Sequence, residues 1–246
     1  MEVVAGVDGL RPEHGPIFAV IGVFDGLHRG HTYLLDHLVR EAGRRDARPT
    51  VITFDHHPDE VLTGSAPPLL LHPDERLERL ADAGVEITVV QHFDDAVRRT
   101  TYDAFIDRIR QGTALAGLLM TPDAAFGYER RGTAQALTAL GKDRGFDVVV
   151  VSPFTIDGEP VSSSAIRNAI QRGDLAEAER LLGRPVGLRG TLVDGRMSFE
   201  WPMALPPEGS YACQVDGRRG TATVQDGTVR LPVPSADGPI LVELTA

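Results

Sequence analysis

Up to about residue 151, apolar runs alternate with amphipathic stretches of helical period, and few folds accept that rhythm. Strands are expected over 17–24, 50–54, 85–90, 117–120 and 147–151, with helices near 31–43, 73–83, 101–111 and 132–144. The run Ile17-Phe18-Ala19-Val20-Ile21 is apolar throughout, as a strand covered on both faces must be. The alternation specifies an α/β fold, a parallel sheet with helices on both faces, whose ligands gather at the carboxyl ends of the strands.

The first of those ends carries Gly22-Val23-Phe24-Asp25-Gly26-Leu27-His28-Arg29-Gly30-His31. Leu34, Leu35, Leu38, Val39 and Ala42 then recur at helical spacing, so His28 and His31 stand at a strand-to-helix turn. A helix start there points free N–H groups at an anion. Two imidazoles add donors that follow charge developing on a phosphoryl oxygen. Gly22, Gly26 and Gly30 within one loop suit close approach of backbone to ligand. Asp25 has three readings: orienting a ring nitrogen, contacting substrate, or holding the turn with its side chain.

Composition removes alternatives. The formal charge of −10 argues against a broad nucleic-acid footprint. Cys213 is the only cysteine, which excludes an internal disulfide and any cysteine-based metal cluster. Lys142 is the only lysine and is followed by Asp143, so there is no G-x-x-x-x-G-K-[ST] phosphate loop and no good Schiff-base candidate. With no basic leader and no apolar run of membrane length, a cytoplasmic protein is expected, free of membrane and nucleic-acid partners; its oligomeric state is not legible.

Three further loops fall on the same sheet edge. Phe54-Asp55-His56-His57-Pro58 follows the second expected strand. Adjacent histidines are a metal-type pair, but no carboxylate or third histidine stands at a recognisable ligand spacing, so no protein-held metal is expected. Thr121-Pro122-Asp123-Ala124-Ala125-Phe126-Gly127 follows the fourth; Asp123 has substrate or metal-nucleotide as possible contacts, and Phe126 either stacks or fills core. Val161-Ser162-Ser163-Ser164-Ala165-Ile166-Arg167 follows the fifth, where serines either cap a helix or, with Arg167, ring a phosphate.

Helices are expected over 163–171 and 174–182, stopped by Gly173 and Gly183. From Gly187 the character changes to short β-type runs between glycine and proline turns, among them Gly190-Thr191-Leu192-Val193 and Ile240-Leu241-Val242-Glu243-Leu244. The expected division is residues 1–186 as an α/β domain and 187–246 as a small antiparallel β domain.

Together the four loops resemble the adenylyltransferase module of bacterial bifunctional riboflavin kinase/FAD synthetases, a Rossmann-like member of the HxGH nucleotidyltransferase superfamily. Gly22 to His31 is similar to G-x-F-D-G-x-H-x-G-H, Phe54 to Pro58 to F-D-P-H-P, Val161 to Arg167 to V-S-S-T-x-I-R, and Leu181-Leu182-Gly183-Arg184-Pro185 to the closing L-L-G-R-P. The resemblance implies transfer of AMP from ATP to FMN, giving FAD and pyrophosphate, with Mg²⁺ arriving on the nucleotide. It implies catalytic roles for His28, His31 and Arg167, with the histidines stabilising the α-phosphate. ATP would be bound by Gly22, Phe24, Asp25, Gly30, Ser162, Ser163 and Ser164, and FMN by Phe54, His57, Pro58, Asp123 and Phe126.

Two departures fall on the flavin side. G-x-[DN]-F-x-F-G has become Thr121 to Gly127, without the first glycine and first aromatic, and the proline of F-D-P-H-P has become His56. Residues 187–246 resemble the family's kinase barrel faintly, and its G-F-P-T-A-N has become Glu200-Trp201-Pro202-Met203-Ala204-Leu205. Met203 and Leu205 hold neither phosphate nor Mg²⁺, so a barrel remnant without kinase activity is expected. Two other functions stay open: nucleotidyl transfer to another phosphorylated small molecule, and a non-catalytic nucleotide- or flavin-binding protein.

Overall fold

A computed structural model describes residues 1–231 and 237–245. In chain order it runs through β1 (Glu2–Ala5), β2 (Ile17–Ile21), α1 (Arg29–Gly43), β3 (Arg48–Phe54), α2 (Pro58–Thr63), α3 (Pro73–Asp82) and β4 (Ile87–Gln91). Then come α4 (Asp95–Arg99), α5 (Tyr102–Gly112), β5 (Leu115–Met120), a small hairpin of β6 (Ala125–Phe126) and β7 (Gly132–Thr133), α6 (Ala134–Arg144) and β8 (Asp147–Val150). Six of these strands form one sheet in the order β1-β4-β3-β2-β5-β8, and every neighbouring pair is parallel. The five strands expected from sequence are all present. The sixth, β1, was not expected: it is a four-residue edge strand of which only Val4 is buried, and its apolar run Val3-Val4-Ala5 is too short to stand out.

Central β2 and β3 are buried almost end to end, as a sheet covered on both faces requires. Ile17, Ala19, Ile52, Ile87 and Val89 meet Phe105, Ile106 and Ile109 of α5 in one apolar cluster. Each isoleucine, valine or phenylalanine side chain fully withdrawn from water there contributes roughly 1.5–3 kcal/mol.

The rest of the chain supplies a hairpin of β9 (Thr155–Ile156) and β10 (Glu159–Pro160), then α7 (Ser163–Gln171) and α8 (Leu175–Leu182). Asp174 caps α8 through its side chain, and Gly183 ends it in the left-handed region at φ 79°. Six antiparallel strands follow: β11 (Val186–Val193), β12 (Arg196–Ser198), β13 (Gly209–Val215), β14 (Arg218–Gln225), β15 (Thr228–Arg230) and β16 (Gly238–Leu244). They close into a barrel in the order β11-β12-β15-β14-β13-β16, which leaves no open edge. Leu188, Leu192, Met197, Ala222, Val229, Val242 and Leu244 are buried in it.

The chain divides into two compact units. One holds Met1–Phe24, His31–Pro67 and Leu77–Phe154; the other holds Asp25–Gly30, Pro68–Arg76 and Thr155–Ala246. Packing of α8 against β11 draws α7 and α8 to the barrel's unit.

Candidate active site

Beyond β2 the backbone holds its place beside β3: Gly22 N–H donates to Ile52 O at 3.0 Å, and Thr53 Oγ1 donates to Val23 O at 3.0 Å. The chain then turns through Phe24, Gly26 and Leu27 with φ of 55°, 85° and 36°. Glycine enters that region freely, whereas Phe24 and Leu27 are held in it by burial.

Asp25, only 3% exposed, fastens this turn. Leu70 N–H donates to both of its carboxylate oxygens at 3.0 and 3.1 Å, and Arg167 Nη2 donates at 2.5 Å. Ser163 Oγ donates to the Asp25 carbonyl at 2.9 Å. Arg167 is itself buried, and its Nε donates to Pro68 O at 2.8 Å. Of the three readings open for Asp25, holding the turn is the one its hydrogen bonds display. Arg184, which drew attention only as part of the closing motif, donates to the carbonyls of Gly26 at 2.6 Å and Leu27 at 3.2 Å.

His28 is buried, and burial, joined by the Arg184 and Arg167 cations, pushes its imidazole down to about 4. At neutral pH it is therefore an uncharged ring with one N–H donor. A Cβ at Gly30 would stand 3.1 Å from that ring and 3.2 Å from Val161 O, so the glycine lets the ring and backbone meet. His31 lies in the first turn of α1, its ring tilted against that of Phe24 at 5.1 Å between centroids. Ser162 is the N-cap of α7, its Oγ accepting from Ala165 N–H at 3.2 Å; Ser164 is exposed in the same turn.

A cleft of about 670 Å³ opens at the carboxyl edge of the sheet, lined by Gly22, Val23, Phe54, Pro58, Phe93, Val97, Arg98, Phe105, Phe126 and Tyr128 among others. Phe54 meets Phe93 edge-on at 5.3 Å, and Phe126 meets Phe105 at 5.9 Å. Three of the five sequence-selected acceptor residues, Phe54, Pro58 and Phe126, thus share one cavity. The other two do not line it. His57 caps α2, its Nδ1 accepting from Asp59 N–H at 3.2 Å, and Asp123 lines an adjoining cavity of about 230 Å³ that shares Ile21, Phe126 and Arg130 with the cleft. Phe93 escaped the sequence reading although it follows β4, at the same edge as the selected loops.

The paired histidines diverge. While His57 caps a helix, His56 joins a group whose members come from two strands. Phe54 pairs with Gln91 across β3 and β4, so Asp55 and His92 leave the sheet side by side. His92 Nδ1 lies 2.6 Å from Asp55 Oδ2, and His56 Nδ1 lies 3.3 Å from Asp55 Oδ1. The sheet register thus brings in, beside Asp55 and His56, a histidine that linear spacing did not offer. Hydrogen bonding to Asp55 raises the His92 imidazole above its ordinary value.

A family model described as FAD synthetase matches residues 10–165. Among curated proteins, the bifunctional riboflavin kinase/FMN adenylyltransferase of Pseudomonas fluorescens is 34% identical over 197 residues, covering 80% of this chain and 63% of that protein. The protein of the same description from Escherichia coli K12 is 34% identical over 232 residues, covering 88% of this chain and 74% of its own length. Among solved structures, a Streptococcus pneumoniae protein described as a macrolide-efflux protein superposes with a TM-score of 0.83 at 23% identity, covering 99% of this chain and 90% of that one. That likeness is one of fold.

Proposed function

Because the chain belongs to the FAD synthetase family, we propose that it transfers AMP from ATP to FMN, giving FAD and pyrophosphate, and that it does not phosphorylate riboflavin. The observation that carries the reading is the aromatic-walled cleft at the strand ends, with a volume in the range of small-molecule sites and Phe54, Phe93 and Phe126 to meet a flat ring system. Transfer is proposed for residues 1–186, and a supporting role for 187–246.

In the reaction the FMN phosphate oxygen attacks the α-phosphorus of ATP, a P–O bond forms, and the bond to the β-phosphate oxygen breaks as pyrophosphate leaves. Mg²⁺ enters with the nucleotide as part of the substrate. No covalent enzyme intermediate is required, so alignment and charge stabilisation carry the rate. His28 and His31 are assigned to the charge developing on the α-phosphate. A neutral His28 donates a hydrogen bond without competing for the proton of a nearby base. Gly22, Phe24 and Gly30 shape the loop, and the exposed Ser162 and Ser164 are assigned to the triphosphate. Asp25, Ser163 and Arg167 are positioning residues in this scheme, because their polar atoms hold one another and the loop. Absence of kinase chemistry is supported by Met203: it is buried and bridged to Leu69, where a phosphate-handling threonine would be needed.

The test is incubation with ATP, Mg²⁺ and either FMN or riboflavin, followed by chromatographic separation of the flavins. FAD from FMN with riboflavin unchanged is the expected result. Conversion of riboflavin to FMN would overturn the second half of the proposal, and no FAD where ATP binds would overturn the first.

A further inference from the structure

We propose that Asp55, His56 and His92 form a divalent transition-metal site, of the zinc type, that clips the end of β3 to the end of β4. One ligand atom from each residue lies within 4.8 Å of the other two. In a tetrahedral zinc site with bonds near 2.0–2.2 Å, ligand atoms are about 3.4 Å apart. Closing the gap takes little more than about 1 Å of side-chain movement on that scale. His92 has the freedom for it, since its side chain is 65% exposed.

The donor set selects the class of ion. Two imidazole nitrogens and one carboxylate oxygen suit zinc and its neighbours, while Mg²⁺ and Ca²⁺ take oxygen ligands. The carboxylate is oriented in advance. Asp55 Oδ1 accepts from His56 N–H at 2.8 Å and Phe93 N–H at 3.2 Å, which leaves Oδ2 turned to His92. The two rings stand nearly perpendicular with centroids 6.0 Å apart, so their nitrogens converge without stacking. Solvent has access from the His92 side and completes the coordination.

The clip has a mechanical consequence for the cleft. Asp55 and His92 each adjoin in sequence one member of the Phe54–Phe93 pair that walls it. A metal joining the two strand ends therefore fixes the distance between those rings.

The experiment is zinc titration of the full chain by calorimetry, repeated with Co²⁺ to read the visible ligand-field bands, on the unsubstituted protein and on His56→Ala and His92→Ala. Both positions are solvent-accessible, and circular dichroism confirms folding of each variant. One Zn²⁺ per chain, with affinity falling about 100-fold or more in each variant, is the expected result, since even outer-shell changes at zinc sites cost 10–100-fold. No zinc binding by the unsubstituted chain overturns the proposal. Equal binding by both variants overturns it too, because the ion then sits elsewhere, and loss in only one variant overturns the three-ligand arrangement. None of these readouts depends on adenylyl transfer.

Discussion

Asp25 and Arg167, 142 positions apart in the chain, meet in a buried ion pair of 2.5 Å. Arg167→Ala leaves the Asp25 charge buried and Pro68 O without its donor, so a loss of about 3–5 kcal/mol is expected in chemical denaturation. Asp25→Asn combined with Arg167→Met should recover a good part of that loss, because no lone charge remains inside. A single variant within about 1 kcal/mol of the unsubstituted protein would show that the pair does not hold the loop.

His28 links stability to acidity. Its folded value near 4 lies below the ordinary 6.5, so between those values the unfolded chain binds the proton that the folded chain refuses. Stability from this group is therefore fully present above pH 6.5 and declines as pH falls toward 4. Moving from pH 7 to pH 5 should cost the unsubstituted protein about 2 kcal/mol more than His28→Gln, read as the difference in urea unfolding free energies. Equal losses in the two proteins would contradict the burial argument.

Turnover should depend on the same imidazole. Removing a donor aimed at transition-state charge typically lowers kcat by about 10²–10³, and His28→Ala is expected in that range with its circular dichroism spectrum unchanged. Near-normal kcat would remove His28 from the mechanism.

Gly30→Ala sets two effects against each other. Helix propensity favours alanine by up to about 1 kcal/mol, but the new Cβ would stand 3.1 Å from the His28 ring and 3.2 Å from a backbone oxygen that yields little. The melting temperature should therefore move by only a few degrees, while kcat drops roughly tenfold or more as the ring shifts. A variant with full kcat would mean that the loop accommodates the methyl group elsewhere.

Phe126→Ala should separate the two substrates. Loss of an aromatic face worth about 1–1.5 kcal/mol raises the acceptor KM about tenfold, and the KM for ATP is expected to stay constant. Steady-state kinetics with each substrate varied in turn reads the split; a parallel rise in both constants would argue for a general loss of structure.

The central strands were legible because residues that must be buried on both faces leave an unbroken apolar run, as in β2 and β3. Edge strand β1 leaves only the three-residue run Val3-Val4-Ala5, and α2 and α4, of six and five residues, are too short for a helical period to show. They depend on local hydrogen bonds instead, through the His57 and Asp94 caps. At the site, residue types within one loop were readable and partners between loops were not. The serines preceding Arg167 announced a helix start, but nothing in the order of residues said that Arg167 would be held by Asp25 and Pro68. Likewise His92 joins Asp55 only because two parallel strands stand in one register.

Leu69 exchanges backbone hydrogen bonds with Pro202 and Ala204, and the next residue, Leu70, holds the carboxylate of Asp25. A stretch of the barrel's own sequence is thereby tied, one peptide removed, to the turn that carries His28. The barrel's outline is consequently answerable for the pose of a histidine that belongs to another stretch of the chain, and a substitution at Pro202 or Ala204 can be felt at His28 without touching it.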